Sequence, residues 1–355
     1  MLKCYIRKIC ANSKFKDKIP CKENCMKASI IIPNLNGEGW IEDSIRSCIN
    51  QKFDGEYEII VIDNGSKDRS VEIIKKCAED FENFILICND TNTGFDHAVN
   101  QGIETSKAEY AVMFNNDAFA EPDWLQVLVD TADSDKNIFS VGGLMVQHFN
   151  RHLADDASDY VPLFGWTCKR GDGLKRERYN KIERVFSNCG GAALYRRSIL
   201  DEIGWFDEAF FAYGEDVDLG WRGNNAGYKN IYNPNAVCYH ICSATTGGRY
   251  NDFKAEKSGQ NTLLLLYKNQ PLLMLIVNFP FQFIGYLPKV AMYYARGFGK
   301  PFMKGTFQGI KMRKQVEKYP FKWKNLGSYL WVEWTMFKHC FTYVNYRVRR
   351  FFGWV

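Results

Sequence analysis

Between residues 28 and 114 the chain alternates short apolar runs with longer amphipathic stretches. Ser29–Ile32 reads as a buried strand stopped by Pro33, and a helix-spaced pattern follows from Glu38 to about Asn50. Glu58–Ile62 is a second strand that closes on the turn Asp63-Asn64-Gly65-Ser66 and feeds a helix over 68–80. Phe84–Cys88 gives a third strand and residues 94–105 a helix. Tyr110–Phe114 then gives a fourth strand, running directly into Asn115-Asn116-Asp117. Such alternation implies right-handed crossovers and a mostly parallel sheet, with ligands outside the carboxyl ends of the strands. The fold class expected is α/β and Rossmann-like.

Asp63, the Asn92-x-Gly94 turn and Asp117 all fall at successive strand ends. Asp is common in turns and helix caps for local reasons, so no single position carries weight. Their joint placement marks a site. No G-x-G-x-x-G follows the first strand; Gly37-Glu38-Gly39-Trp40 is only a fragment of one, which disfavours dinucleotide binding. A second acidic cluster, Gly214-Glu215-Asp216-Val217-Asp218, opens a helical pattern about a hundred residues later. It can be read as an ordinary acid-rich first turn facing the helix dipole. The neighbouring Phe210–Tyr213 run and Gly190-Gly191 fit the floor of an acceptor pocket instead.

The two clusters together suit transfer of a sugar from a nucleotide. Displacing a nucleoside diphosphate from an anomeric carbon leaves negative charge on the departing group, which a carboxylate-held Mg²⁺ or Mn²⁺ stabilises. The acceptor hydroxyl must lose a proton, so a second carboxylate serves as general base. With one base and no separate nucleophile, transfer inverts the anomeric configuration. Five His and no nucleophile elbow give hydrolase triads little support.

Charge is distributed unevenly along the chain. Residues 1–27 hold eight Lys/Arg against two acids and residues 289–355 hold fourteen against two, so basic ends flank an acidic body. The basic tail is interleaved with Trp, Tyr and Phe. That mixture suits an anionic membrane surface better than nucleic acid, which is not expected as a partner. Residues 1–27 lack the apolar segment of a signal peptide, and the twelve Cys show no secretory pattern, so a reducing cytoplasm is expected. Cys4, Cys10, Cys21 and Cys25 lack the paired spacing of a zinc site and read as free thiols.

With these residues in hand, the chain resembles family 2 glycosyltransferases of the GT-A fold, within them the rhamnosyltransferase-like branch. The matching stretches are Ile30–Asn36, Val61–Ser66, Asn92–Phe95 with Asn100 and Gly102, Phe114–Asp117, Gly190–Arg196, and Gly204–Glu208 through Tyr213–Arg222. The resemblance implies that Pro33, Asn34, Asn36, Asp63, Asn92, Gly94, Asn115, Asn116 and Asp117 bind the nucleotide-sugar, with Asp63 reading the base or ribose. Asp117 would hold the cation, and His240 stands where some relatives add a metal contact. Asn115 replaces the first acid of the family's D-x-D motif. Asp216 matches the general base with Glu215 beside it, and Gly190, Gly191, Trp221 and Arg222 fall to the acceptor side. The Q-x-x-R-W motif of the family's processive synthases has no counterpart here, so one sugar per encounter is expected.

Residues 147–185 break the strand–helix rhythm and read as a long loop beside the acceptor. From Asn269 to Pro288 there is no charge, but Asn278, Pro280, Gln282, Gly285 and Pro288 interrupt the apolar run, which favours interfacial insertion over spanning. The expected organisation is a basic extension (1–27), a GT-A domain (28–245) and a helical, membrane-associating region (246–355). The expected activity is inverting, metal-dependent transfer from a dTDP-, UDP- or GDP-linked donor to a surface glycan, carried on a lipid, at the cytoplasmic face of the membrane. A catalytically silent GT-A module that binds nucleotide-sugar or glycan as a scaffold is the alternative.

Overall fold

The computed structural model describes residues 5–7, 26–241 and 250–352. Five parallel strands make one half of an 11-stranded sheet: β1 (Tyr5–Arg7), β2 (Ala28–Asn34), β3 (Tyr57–Asp63), β4 (Phe84–Cys88) and β5 (Tyr110–Phe114), in the spatial order β1-β4-β3-β2-β5. Helices α1 (Ile41–Ile49), α2 (Ser70–Ala78) and α3 (Phe95–Thr105) make the crossovers. The strands are continuous apolar runs because helices cover both faces; Ile30, Ile31, Ile32, Ile59, Ile60, Val61 and Ile62 are all fully buried.

Strand order reverses between β2 and β5, and there the sheet opens. β2 leaves β5 after the Ile31–Met113 pair but stays with β3 through Pro33 to Asn34–Asp63. Pro33 has no N–H to give, so this split leaves no donor of its own unpaired. The resulting crevice is the usual ligand position in such a sheet.

The second half is mixed. After β6 (Ala118–Ala120) and α4 (Trp124–Asp133) come β7 (Ile138–Gln147), β8 (Ala154–Asp156), β9 (Asp159–Tyr160), β10 (Cys168–Lys169), β11 (Glu183–Val185), β12 (Ala192–Arg196) and β13 (Lys229–His240). β12 lies antiparallel between β5 and β7, and β13 runs parallel to β7. Residues 147–185 are therefore not a bare loop: β8 pairs with β7, and β9 with β10. Three-residue and two-residue strands leave no readable period, which hid them. α5 (Arg197–Ile203) and α6 (Glu215–Ala226) connect β12 to β13.

The C-terminal helices expected from the sequence are α7 (Asp252–Asn269), α8 (Leu272–Ala295), α9 (Gly299–Met312) and α10 (Leu326–Phe351), and they pack onto the sheet domain. Leu264, Val316, Val332 and Met336 share a core with Phe186, Phe210, Val217 and Trp221 of the sheet domain. α8 runs unbroken through Pro280 and Pro288, contrary to the interrupted segment expected, and is long and apolar enough to cross a bilayer. Its inward stripe is polar, with Asn278, Gln282 and Lys289 buried, while Leu273, Ile276, Phe279 and Ile284 are exposed. The four cysteines of the N-terminal extension lie outside the described residues.

Candidate active site

A cavity of about 480 Å³ occupies the crevice at the carboxyl ends of β2 and β5. Pro33, Asn34, Asn92, Asn115, Asn116 and Asp117 line one side; Gly190, Gly191, Glu215, Asp216 and His240 also reach it. The two acidic clusters, far apart in sequence, thus face one space.

The nucleotide side is built from amides. Asn34 Nδ2 donates to Asp63 Oδ1 at 2.8 Å, and Asn116 Nδ2 donates to Asn34 Oδ1 at 2.8 Å. Gly37 permits this pairing, since a Cβ there would lie 2.3 Å from Asn34 Oδ1 and 2.5 Å from Asn116 Nδ2. Asp63 is 2 % exposed, and its other oxygen accepts from the Ser66 N–H at 3.0 Å, so it stands behind the cavity wall and orients Asn34. Asn36 and Gly94 also lie off the wall. Asn36 accepts from Lys67 N, and Gly94 donates to Asn92 Oδ1 at a φ of 96°.

His240 bridges two carboxylates. Its Nε2 lies 3.1 Å from Asp117 Oδ1 and 3.3 Å from Asn115 Nδ2, and its Nδ1 lies 2.8 Å from Asp155 Oδ2. A neutral ring donating from Nδ1 to Asp155 presents the Nε2 lone pair beside Asp117. That is the carboxylate–histidine arrangement which supports a metal ligand. Two ligands on one ion, each at about 2.0–2.2 Å, stand about 3 Å apart, so Asp117 and His240 fit a shared divalent cation. Among the described residues no three His, Cys, Asp or Glu side chains make a full cage. Diphosphate oxygens and water would complete the shell.

The base side hangs on the Gly190-Gly191 dipeptide. Asp216 Oδ2 accepts from Gly190 N at 2.9 Å and Oδ1 from Val217 N at 2.8 Å, while Gly191 O accepts from Asn115 N at 2.8 Å. One backbone turn therefore spans from the metal side to the base. A Cβ at Gly191 would meet Asn115 Nδ2 at 2.8 Å, closing that approach. Burial raises Asp216 above the ordinary aspartate range, opposed by the Gly190 and Val217 N–H groups. Burial, then Asp96 and Asp216, holds Glu215 further above its usual range, and Glu215 Oε2 has no hydrogen-bond partner. Both carboxyls are held above their ordinary ranges, and Asp216 is the one whose anion two backbone N–H groups stabilise, which favours it as the base.

Two expected acceptor residues serve the core instead. Trp221 is 1 % exposed and meets Phe186 edge-to-face with centroids 5.2 Å apart. Arg222 pairs with Asp218 at 2.8 Å and donates to the carbonyls of Ile203, Gly204 and Trp205. Lying five and six residues beyond Asp216, both project roughly 120–140° around α6 from it and so turn away from the cavity that Asp216 faces. Sequence reasoning missed Asp155, which holds His240, and Asp159 and Lys169, which line the cavity. The only trace was the acidic run Asp155-Asp156-x-x-Asp159 within a stretch read as loop.

The fold is that of GT-A nucleotide-sugar transferases. Residues 29–204 match the family model "Glycosyl transferase family 2". It is 24% identical over 245 residues to a poly-beta-1,6-N-acetyl-D-glucosamine synthase of Staphylococcus aureus, covering 67% of this chain and 55% of the relative. It is 25% identical over 187 residues to a glucosyl-dolichyl phosphate glucuronosyltransferase of Haloferax volcanii, covering 51% and 56%. The chain thus spans about half the length of these curated relatives. Among solved structures, the fold resembles the mannosyltransferase PcManGT from Pyrobaculum calidifontis, solved with GDP-Man and Mn²⁺, at a TM-score of 0.51 and 15% identity, covering 82% of this chain and 88% of that one.

Proposed function

We propose that this protein is an inverting, divalent-metal-dependent transferase that moves a hexose or deoxyhexose from a nucleoside diphosphate onto a lipid-linked surface glycan. The observation that carries it is the convergence of Asp216 with the Asp117–His240 pair on one cavity. Asn34 and Asn116, locked to each other, place the nucleotide. Asp117 and His240 would hold Mg²⁺ or Mn²⁺; PcManGT and GalNAc-T7, a further neighbour (TM-score 0.57, 17% identity, 70% of this chain and 48% of that one), are both described with Mn²⁺. The bound ion would neutralise charge growing on the leaving diphosphate. Asp216, its oxygens aimed by the Gly190 and Val217 N–H groups, takes the proton of the attacking acceptor hydroxyl. With Asp216 as base to the acceptor hydroxyl and the diphosphate leaving on the metal side, a single displacement inverts the anomeric centre.

A lipid-linked acceptor at an anionic membrane surface is supported by the exposed apolar side of α8. On α10, Leu330, Trp334, Phe341 and Val344 are exposed as well. One relative is, by its name, a glucuronosyltransferase of glucosyl-dolichyl phosphate. The test is a panel of UDP-, dTDP- and GDP-sugars with isolated lipid-linked glycans, the product's linkage being read by NMR. Net retention of the anomeric configuration would refute the single-displacement reading.

A further inference from the structure

A second chamber, about 270 Å³, opens beside the catalytic cavity and shares Thr167, Tyr213 and Gly214 with it. Its far wall is one stripe of α7: Lys254, Ser258, Asn261 and Thr262 recur at helical spacing. A helix face turned into a protein is ordinarily apolar; this one brings the Lys254 ammonium and the Ser258 hydroxyl to the chamber, while the Asn261 amide is taken by the carbonyls of Phe210, Ala212 and Tyr213 and Thr262 donates to Ser258 O. No acidic residue is among those that line it. Burial, and then the charge of Lys169, hold the Lys254 ammonium below the ordinary lysine range, so negative charge in the chamber would be stabilised there.

A second cation stands behind the wall. Lys289 of α8 is 6 % exposed and donates to Thr262 Oγ1 at 2.7 Å, with no ion pair among the described residues. The Lys289 ammonium thus has a hydroxyl and the face of the Phe302 ring, 5.9 Å from its centroid, but no counter-charge among the described residues, and such burial is costly unless one arrives. The same helix turns Leu273, Ile276 and Ile284 outward. Trp166 Nε1 donates to Gly285 O at 2.9 Å and ties the loop that carries Thr167 to α8. The chamber therefore lies between the catalytic cleft and the apolar helix.

We propose that this chamber binds the phosphate or diphosphate that joins a lipid carrier to the first sugars of the acceptor. The inference rests on the transferase reading above and names the chemical class of its acceptor. Tyr213 and Gly214 immediately precede Glu215 and Asp216, so a phosphate in the chamber holds only a short glycan against the base. Acceptors that have grown long carry their phosphate out of reach. The enzyme is thereby a selector of early, lipid-proximal steps.

The test compares two acceptors bearing the same short saccharide, one on farnesyl diphosphate and one as a neutral alkyl glycoside, with the full-length protein. The charged acceptor is expected to show a KM at least about tenfold lower, the scale of one or two charge-assisted contacts. Lys254→Gln and Lys289→Met, taken separately, should each bring that KM ratio toward one. Lys254 stands at the chamber wall, so its variant keeps the test decisive if Lys289→Met fails to fold. Equal KM values for the two acceptors in the unaltered protein would overturn the proposal. A rise in donor KM with the acceptor ratio intact would also overturn it, assigning the chamber to the donor's diphosphate. Donor hydrolysis with transfer to neither acceptor counts against the chamber alone, whereas absence of any nucleoside diphosphate release would count against the transferase reading.

Discussion

Asn261 of α7 reaches across to the segment that presents the catalytic acids, and removing its amide should separate positioning from folding. Its Nδ2 approaches the carbonyls of Phe210, Ala212 and Tyr213 at 3.2, 2.8 and 2.7 Å. An amide has two protons, so three acceptors share them, and the clamp contributes about 2 kcal/mol at about 1 kcal/mol per bond. Phe211 and Tyr213 sit at φ 67° and 72°, a left-handed conformation that costs about 1–3 kcal/mol for each such residue. The strain matches or exceeds the clamp, so in Asn261→Ala the segment relaxes and the start of α6 shifts. Turnover should fall by about 10²-fold, the penalty of roughly 1 Å misplacement. Because relaxation returns strain as the clamp is lost, the melting temperature should fall by less than the drop of about 4–8 °C that about 2 kcal/mol alone would give. Steady-state transfer kinetics and a thermal melt on the same preparation measure both. An Asn261→Ala protein with a lowered melting temperature and full kcat would refute the argument that strain held by this amide places Asp216.

Asp216→Asn should lower turnover by at least about 10²-fold while donor binding persists, and Glu215→Gln should cost less; the reverse order would exchange their roles. Because burial raises Asp216, transfer should fall as pH drops through a range above that of ordinary aspartates, since the protonated carboxyl cannot accept the acceptor's proton; an acid limb at the usual aspartate value would contradict this. Asp96 is fully buried with neither oxygen hydrogen-bonded, and burial followed by the Asp216 charge raises it well above its usual range. Its folded form therefore holds a proton that the unfolded chain releases, so stability declines as pH climbs from the unfolded value through the folded one. Asp96→Asn should remove that decline and add roughly 1–3 kcal/mol above the window; equal gains in melting temperature at pH 4 and pH 8 would argue otherwise. Full-length protein should sediment with anionic vesicles at low salt and be released as salt rises, and retention wholly in the supernatant would remove the membrane assignment.

The parallel half of the sheet was readable because its strands are uninterrupted apolar runs of a length only strands have. Phe84–Cys88 and Tyr110–Phe114 fall where the sequence places them. Convergence of Asp117 and Asp216 followed from their positions at element ends, since local chemistry and topology pointed the same way. What stayed hidden depends on contacts between distant segments. Asp155 matters only because β8 lies against β7 and brings it to His240, and strands that short carry no pattern. Trp221 and Arg222 belong to a motif whose acids face the cavity, but the helix turns these two into the core. Prolines in α8 suggested a break. Each removes a single intrahelical donor, while the inward stripe Asn278, Gln282 and Lys289 fastens the helix, with Asn278 donating to Gln270 and Glu333. The C-terminal helices looked separable by composition, yet Val332 and Met336 complete a core begun by Val161 and Phe186.

The central claim is that Asp117 and His240 hold a divalent cation against a donor diphosphate in the cavity that Asp216 faces. Its most direct test is nucleoside diphosphate release from UDP-, dTDP- and GDP-sugars by full-length protein, before and after EDTA, with Asp117→Ala alongside. At least one donor should give release that EDTA abolishes and Mg²⁺ or Mn²⁺ restores, and Asp117→Ala should stay folded while losing most of it. Undiminished release in EDTA, or from Asp117→Ala, would contradict the account, and no release from any donor would leave the fold as a silent binding module.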